Sequence, residues 1–261
     1  MRLNQILILL CFMTFASGIS SDASAEISIM AMGDSISRGG HVAAADRYRQ
    51  LVTDSLTSND VAHQFTGEFS DQVSRHQAVG GASIQFMTEN YRQAIEDNQP
   101  DYILLLAGTN NHNDAPNEAE FVDRYEALFG MIRSASPDTQ VIISTVPKFA
   151  YDRPNTPFWT EEYVDYRNEV VFPTINSAIQ QTAEERDWVK VVDLFSEIDI
   201  ETDYVSDAVH LNANGQEKLG TLFEDALLSS VAVAVPEPSG FFLAALLFGF
   251  GVARRNRRQK A

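Results

Sequence analysis

Five short apolar runs, separated by amphipathic helical patterns, constrain this chain more than any other feature. They are EISIMAMG (26–33), VAHQFTG (61–67), DYILLLAG (101–108), TQVIISTVP (139–147) and WVKVVDLF (188–195), of which VAHQFTG is the weakest. A strand with one wet face alternates apolar and polar residues. A continuous run such as Tyr102 to Ala107 suits a strand covered on both faces, the usual state of a parallel sheet. The intervening segments carry the helical period. AAADRYRQLVTDSLTS (43–58) spaces Tyr48, Leu51, Val52, Ser55 and Leu56 along one face. SIQFMTENYRQAIEDN (83–98) opens on a capping Ser83 and stops short of Pro100, and NEAEFVDRYEALFGMIRSAS (117–136) ends before Pro137-Asp138. Helical stretches are also predicted from about Glu161 to Glu185, interrupted near Pro173, and from about Asn212 to Leu228. This alternation predicts an α/β fold: a three-layer α/β/α sandwich around a five-stranded parallel sheet with right-handed crossovers.

Both ends read as processing signals, outside the folded body. Residues 1–25 combine Arg2, an apolar run from Ile6 to Ala16 and Ala23-Ser24-Ala25, the pattern of a secretory signal peptide with a small-x-small cleavage site. Cys11 follows Leu10, where lipidation would want a small residue, so a lipid anchor is not expected. Residues 231–261 hold Pro236-Glu237-Pro238, about 14 apolar residues from Gly240 to Ala253, and the basic residues Arg254, Arg255, Arg257, Arg258 and Lys260. The apolar run is short for a permanent span, and the basic end favours the cytoplasmic side. This tail resembles the PEP-CTERM sorting signals of Gram-negative bacteria. The resemblance implies an exosortase-type processing protease as partner, alongside signal peptidase, with transient membrane association through the tail. The body, residues 26–230, is then expected beyond the inner membrane, at the cell surface, in the periplasm or in an extracellular matrix.

That body has no cysteine, because Cys11 is the only one in the chain, which excludes disulfides and thiolate chemistry. The chain's formal charge of −17 would be −21 without its ends, since the first segment is neutral and the tail carries a net +4. Such a surface repels nucleic acid, so no nucleic-acid partner is expected.

The first apolar run ends in Gly33-Asp34-Ser35. A serine here is either a helix cap or a nucleophile, and as a nucleophile it needs a base. Of five histidines, His210 is the one in a tight acidic arrangement ahead of the last predicted helix, SDAVHLNANG, with Asp207 three residues earlier. In a turn before the last helix, Asp207 would accept from Nδ1 and leave Nε2 for Ser35, the arrangement of a catalytic triad. An alkoxide would also need donors. The Ser35 N–H, the glycine N–H groups of AVGGASI and the Asn110 amide after the central strand are candidates. Taken alone, each of these is more often a turn, a cap or a chance pairing.

Together the four blocks Gly33-Asp34-Ser35, Gly80-Gly81, Gly108-Thr109-Asn110 and Asp207-x-x-His210 resemble those of the SGNH hydrolases, the GDSL-type esterase superfamily, over about residues 29–220. The resemblance implies a flavodoxin-like fold and an acyl-enzyme mechanism. Ser35 would be nucleophile, His210 the base and then acid, and Asp207 the orienting carboxylate. The oxyanion hole would be formed by Ser35 N–H, Gly81 N–H and Asn110; Gly81 is preferred to Gly80 because it precedes Ala82-Ser83. YRQLV, FTG and HQAVGGASI resemble the branch that holds carbohydrate acetyl esterases. Asn111 and Leu211 depart from the aspartate and proline frequent in the family. His41, His76 and His112 are bystanders on this reading, although His112 lies close enough to Asn110 for a polar wall.

No metal is expected, because no H-x-x-x-H or similar ligand spacing occurs, and no phosphate loop or dinucleotide fingerprint calls for a cofactor. The loop KFAYDRPNTPFWTEEY (148–163) follows a strand's carboxyl end and is either a substrate loop or a surface excursion with packed aromatics. The expected function is an exported serine esterase acting on short acyl esters of carbohydrate. Alternatives are a lipase, thioesterase or arylesterase on the same scaffold, and an inactive polysaccharide-binding domain.

Overall fold

The computed structural model describes residues 26–151 and 159–234. Both expected processing segments lie outside these residues, apart from Val231–Ala234. Among the described residues no helix is long and apolar enough to cross a membrane.

The five expected strands form. They are β1 (Ile27–Gly33), β2 (His63–Thr66), β5 (Tyr102–Leu106), β6 (Gln140–Ser144) and β7 (Val189–Val192). β1 pairs in parallel with β2 and β5, β5 with β6, and β6 with β7. The sheet is larger than expected: β3 (Phe69–Ser70) and β4 (Arg75–Ala78) bring it to seven described strands. β4 continues the edge that β2 begins, pairing Met32 with Gln77 and Gly33 with Ala78, while β3 runs antiparallel to β4. The sheet is therefore mostly, not wholly, parallel.

Alternate residues of each central strand serve opposite cores, as the period of two requires. Met30, Met32, Ile103, Leu105, Val141 and Ile143 pack on one face against α3 (Ile84–Asn90), α4 (Arg92–Asn98), α5 (Glu118–Ala135) and α7 (Phe172–Glu184). Ile29, Ala31, Leu104, Leu106 and Ile142 pack on the other against α2 (Tyr48–Ser58), the short α8 (Leu194–Glu197) and α9 (Ala213–Ala234). Each of the larger side chains contributes roughly 1.5–3 kcal/mol on burial, which explains why the runs carry no polar break. The layers are the α/β/α sandwich expected from the sequence.

Helix boundaries differ in four places. Helix α2 starts at Tyr48, because Ala44–Asp46 forms a separate 3-10 turn and Arg47 is extended between the two. The 83–98 segment divides at Tyr91, whose hydroxyl donates to Gly33 O at 3.0 Å and pins the break to the sheet. After α6 (Glu161–Tyr166) the interruption is a π turn, Arg167–Val171, that precedes Pro173; the proline sits in the first turn of α7, and the π turn before it loosens the ladder that its missing N–H would break. Helix α9 runs on to Ala234.

Register sets the strand ends. Gly33 lies beside Leu106, Leu106 beside Ser144 and Ser144 beside Val192. The carboxyl ends of four strands therefore share one rim, the edge at which open α/β sheets bind ligands.

Candidate active site

Ser35 opens α1 (Ser35–Arg38) directly from β1. The exit is tight. Gly33 has φ +156, and a Cβ there would lie 2.2 Å from Ser37 Oγ and 2.5 Å from Leu106 O, so only glycine fits. Asp34 caps the helix by accepting from Ile36 N–H at 2.8 Å, the turn-holding role its position suggests. Gly39, at φ 68, closes the helix by donating to Ser35 O. From the far side, Arg49 on α2 donates to Arg38 O at 3.0 Å. The Arg49 guanidinium is wholly buried against Asp71 (2.6 Å) and Ser74 Oγ (2.7 Å).

His210 and Asp207 occupy a turn before α9. The turn is closed by a bridge between Tyr204 and Leu211 and by Val205 N–H donating to His210 O at 2.9 Å. Asp207 Oδ1 accepts from the N–H groups of Val209 (3.0 Å) and His210 (2.9 Å). That leaves Oδ2 facing His210 Nδ1 at 2.7 Å, while His210 Nε2 lies 2.8 Å from Ser35 Oγ. Residues 175 positions apart in sequence therefore form one continuous Asp–His–Ser line. Partial burial would raise the Asp207 carboxyl, but the His210 ring and the two backbone donors outweigh it and bring the group down to about 2. Asp207 is thus a carboxylate at neutral pH, able to hold a proton on Nδ1 and keep Nε2 free to accept one.

The donor side lies next to Ser35. Val79 N–H donates to Gly33 O at 3.1 Å, which carries Gly80 and Gly81 alongside the Ser35 turn. A Cβ on Gly80 would sit 3.8 Å from Ser35 Cβ; Gly81 has φ +81 with open space on that side. Asn110 Nδ2 donates to Ala82 O at 3.1 Å and, more weakly, to Asp34 Oδ2 at 3.3 Å. To reach an oxyanion it must share or release one of these, and the longer bond is the easier to give up. Asn111, the departure noted in the sequence, accepts from Ile84 N–H at 3.1 Å and donates to Asp114 at 2.7 Å, fastening this turn to the start of α3.

Two features were missed in the sequence. His41, expected as a bystander, stacks on His210 with ring centroids 3.6 Å apart and 16° between planes. It follows Gly39-Gly40, a double glycine that marks a turn but names no partner for the ring. The second is the electrostatic state of Asp34. It is fully buried beneath Ser35, and burial pushes its carboxyl up to about 6 in spite of the Ile36 N–H. His76 is structural, buried beside Arg49 and Asp71, with Nδ1 accepting from Ala78 N–H at 3.2 Å. His112 holds Thr109 O through Nδ1 at 2.9 Å and packs edge-on against Phe149. Of the 148–163 stretch, residues 152–158 lie outside the described residues. Its flanks are packed: Ala150 N–H donates to Ala208 O at 2.9 Å, and Trp159 stacks on buried Phe149 at 4.6 Å.

The sequence profile of the GDSL-like lipase/acylhydrolase family matches residues 31–218, a span that includes every one of these residues. The chain belongs to that family. It is accordingly an ester-cleaving hydrolase. No curated protein matches the chain. Among solved structures, this GDSL-type hydrolase is similar in fold to a carbohydrate esterase family 3 protein from Talaromyces cellulolyticus, at 19% identity and TM-score 0.64, covering 80% of this chain and 100% of the other. It is also similar to a family 3 carbohydrate esterase from Clostridium thermocellum (21%, TM-score 0.62, 81% and 100% covered). A third likeness is to a psychrotrophic esterase from a Pseudoalteromonas species (14%, TM-score 0.57, 79% and 100% covered).

The raised Asp34 has a measurable consequence in this GDSL-type hydrolase. A carboxyl whose folded value lies above its unfolded one stabilises the fold fully only below the unfolded value, and that contribution is lost as pH rises through about 6. Asp34→Asn keeps an oxygen for the Ile36 cap but cannot ionise. Relative to this variant, the wild type is expected to lose about 3 kcal/mol of unfolding free energy between about pH 4 and about pH 8. Urea titrations of both proteins at the two pH values check this, and parallel changes would contradict the assignment.

Proposed function

We propose that the protein is an exported serine esterase that removes short acyl groups, acetyl above all, from carbohydrate. The observation that carries the catalytic part is the line Ser35 Oγ–His210 Nε2, 2.8 Å, and His210 Nδ1–Asp207 Oδ2, 2.7 Å. Ser35 attacks the ester carbonyl while His210 takes its proton. The N–H groups of Ser35 and Gly81, with the Asn110 amide, receive the developing oxyanion. His210 then returns the proton to the leaving alcohol, and an acyl-Ser35 forms. Water, activated by the same imidazole, releases the acid.

The carbohydrate part rests on the HQAVGGASI-type blocks, on the fold likeness to two proteins named as carbohydrate esterases, and on aromatic surface beside the Asn110 turn. There Trp159, partly exposed, and Tyr163 lie in tilted contact at 5.6 Å, next to His112 and Phe149. Flat apolar faces of this kind suit the face of a sugar ring. Export rests on the sequence of the two ends, with signal peptidase and an exosortase-type protease as the processing partners.

The test is acetate release from a panel of acetylated polysaccharides, run beside p-nitrophenyl esters of increasing acyl length. Activity confined to acetyl and propionyl esters, with acetate freed from at least one polysaccharide, is the expected result. A rate that climbs with chain length would point to a lipid substrate and overturn the carbohydrate assignment.

A further inference from the structure

We infer that His41 is a positioning residue for the reaction: its ring covers the outer face of His210, fixes that imidazole in line between Asp207 and Ser35, and offers a π face to the cation formed when His210 takes the serine proton. The inference rests on the triad reading above. The rings lie 3.6 Å apart and nearly parallel. His41 Nδ1 also stands 3.9 Å from Asp207 Oδ2, the oxygen that receives His210 Nδ1. Both imidazoles therefore address one carboxylate oxygen, His210 through a hydrogen bond and His41 from farther out.

The placement is built by the nucleophile segment itself. Gly39 ends α1 in the left-handed region, and Val42 N–H donates back to Gly39 O at 3.4 Å. The chain between them is thereby returned across the rim, and His41 lands on His210. The same four-residue helix thus carries the hydroxyl at its start and delivers the covering ring just past its end.

Three ligand-type residues this close invite a second reading, a metal site, since His41, Asp207 and His210 bring possible donor atoms within 4.8 Å of one another. The ring geometry argues against it. Imidazole lone pairs lie in the ring plane, and two stacked rings hold theirs in nearly parallel planes that do not converge on one ion. The stack instead suits an aromatic face over a transient cation, with exposed His41 on the solvent side of the pair and His210 beneath it. The groups facing His41 are Asp207 and His210 from the turn before α9, and Arg38 from α1. Burial, then the positive charge on His210, lowers His41 from the ordinary histidine value, with Arg38 adding to this and Asp207 opposing it. A neutral ring is what a covering face over an imidazolium requires.

The test compares wild type with His41→Ala and His41→Phe on a short p-nitrophenyl ester. His41→Ala is expected to lower kcat roughly tenfold, with KM within about twofold of wild type, because the base is less well aligned while substrate contacts remain. His41→Phe restores a stacked face without a titratable group and should recover kcat to within about threefold of wild type. A readout independent of turnover is the downfield proton resonance of His210 Nδ1–H. It should be sharp in wild type and His41→Phe, and broadened or lost in His41→Ala. Unchanged kcat and an unchanged resonance in His41→Ala would overturn the inference. So would a His41→Phe protein as slow as the alanine variant, which would assign the role to imidazole chemistry and not to the stacked face. If the wild type cleaved no ester, the triad reading would fall, while the resonance would still decide whether His41 orders His210.

Discussion

Replacing Ser35 by alanine is expected to lower kcat by about four to six orders of magnitude, and His210→Ala by a similar factor, with the double variant scarcely worse than either. The reason lies in the single line of atoms. A serine hydroxyl attacks only as its proton leaves, and the one imidazole within reach of Ser35 Oγ is His210, at 2.8 Å. Without the hydroxyl the imidazole has no proton to accept; without the imidazole the hydroxyl stays protonated. The residual rate would come from the proposed oxyanion donors and from substrate binding, which neither substitution removes. Folding should be little affected. Ser35 is half-buried, its hydroxyl bonds only to His210 among the described residues, and the cap of α1 is supplied by Asp34. Steady-state kinetics, a melting curve and labelling by a fluorophosphonate probe check the result together. The probe should modify the wild type and leave Ser35→Ala untouched. A folded Ser35→Ala protein with wild-type turnover would remove the proposed chemistry.

Much of this arrangement was legible because its parts are local. DYILLLAG could be read as a strand covered on both faces because Ile103 and Leu105 serve one core while Leu104 and Leu106 serve the other. Asp207 and His210 could be read as a pair because a three-residue spacing inside a turn fixes their geometry without help from elsewhere. β4 was not legible as a strand. Its sequence, RHQA, is polar, and it becomes a strand only by pairing with β1, far back in the chain: Gln77 beside Met32 and Ala78 beside Gly33. The break at Tyr91 carries no glycine or proline; it follows from a hydroxyl reaching Gly33 O, a contact that exists only once the sheet has formed. His41 failed for the same reason. Nothing in SRGGHV announces an imidazole 169 residues away, and only the return of the chain past Gly39 creates the stack. Local periodicity and turn chemistry were readable, whereas polar groups whose partners arrive through tertiary folding were not.

Asp207→Asn is expected to be more damaging than Asp207→Ala, reversing the order expected from how little of the side chain is changed. The two carboxylate oxygens have separate duties. Oδ1 accepts from two backbone N–H groups, Val209 and His210, and Oδ2 faces His210 Nδ1. An asparagine has one acceptor oxygen, and two backbone donors hold it at the Oδ1 position. Its NH2 group then occupies the Oδ2 position, 2.7 Å from Nδ1 in the wild-type geometry. A donor there selects the imidazole tautomer with Nδ1 bare and the proton on Nε2. That tautomer presents a donor to Ser35 Oγ and cannot accept its proton, so kcat should fall about 10⁴-fold. Alanine removes the orienting bond but imposes no tautomer. His210 remains free to populate the competent form, and the loss should be smaller, about 10²- to 10³-fold. Measured kcat values at a pH where the imidazole is neutral, with ¹⁵N shifts of His210 to identify the tautomer, decide the matter. An asparagine variant more active than the alanine one would mean that Asp207 acts chiefly through its charge, and that its directed hydrogen bond to Nδ1 is secondary.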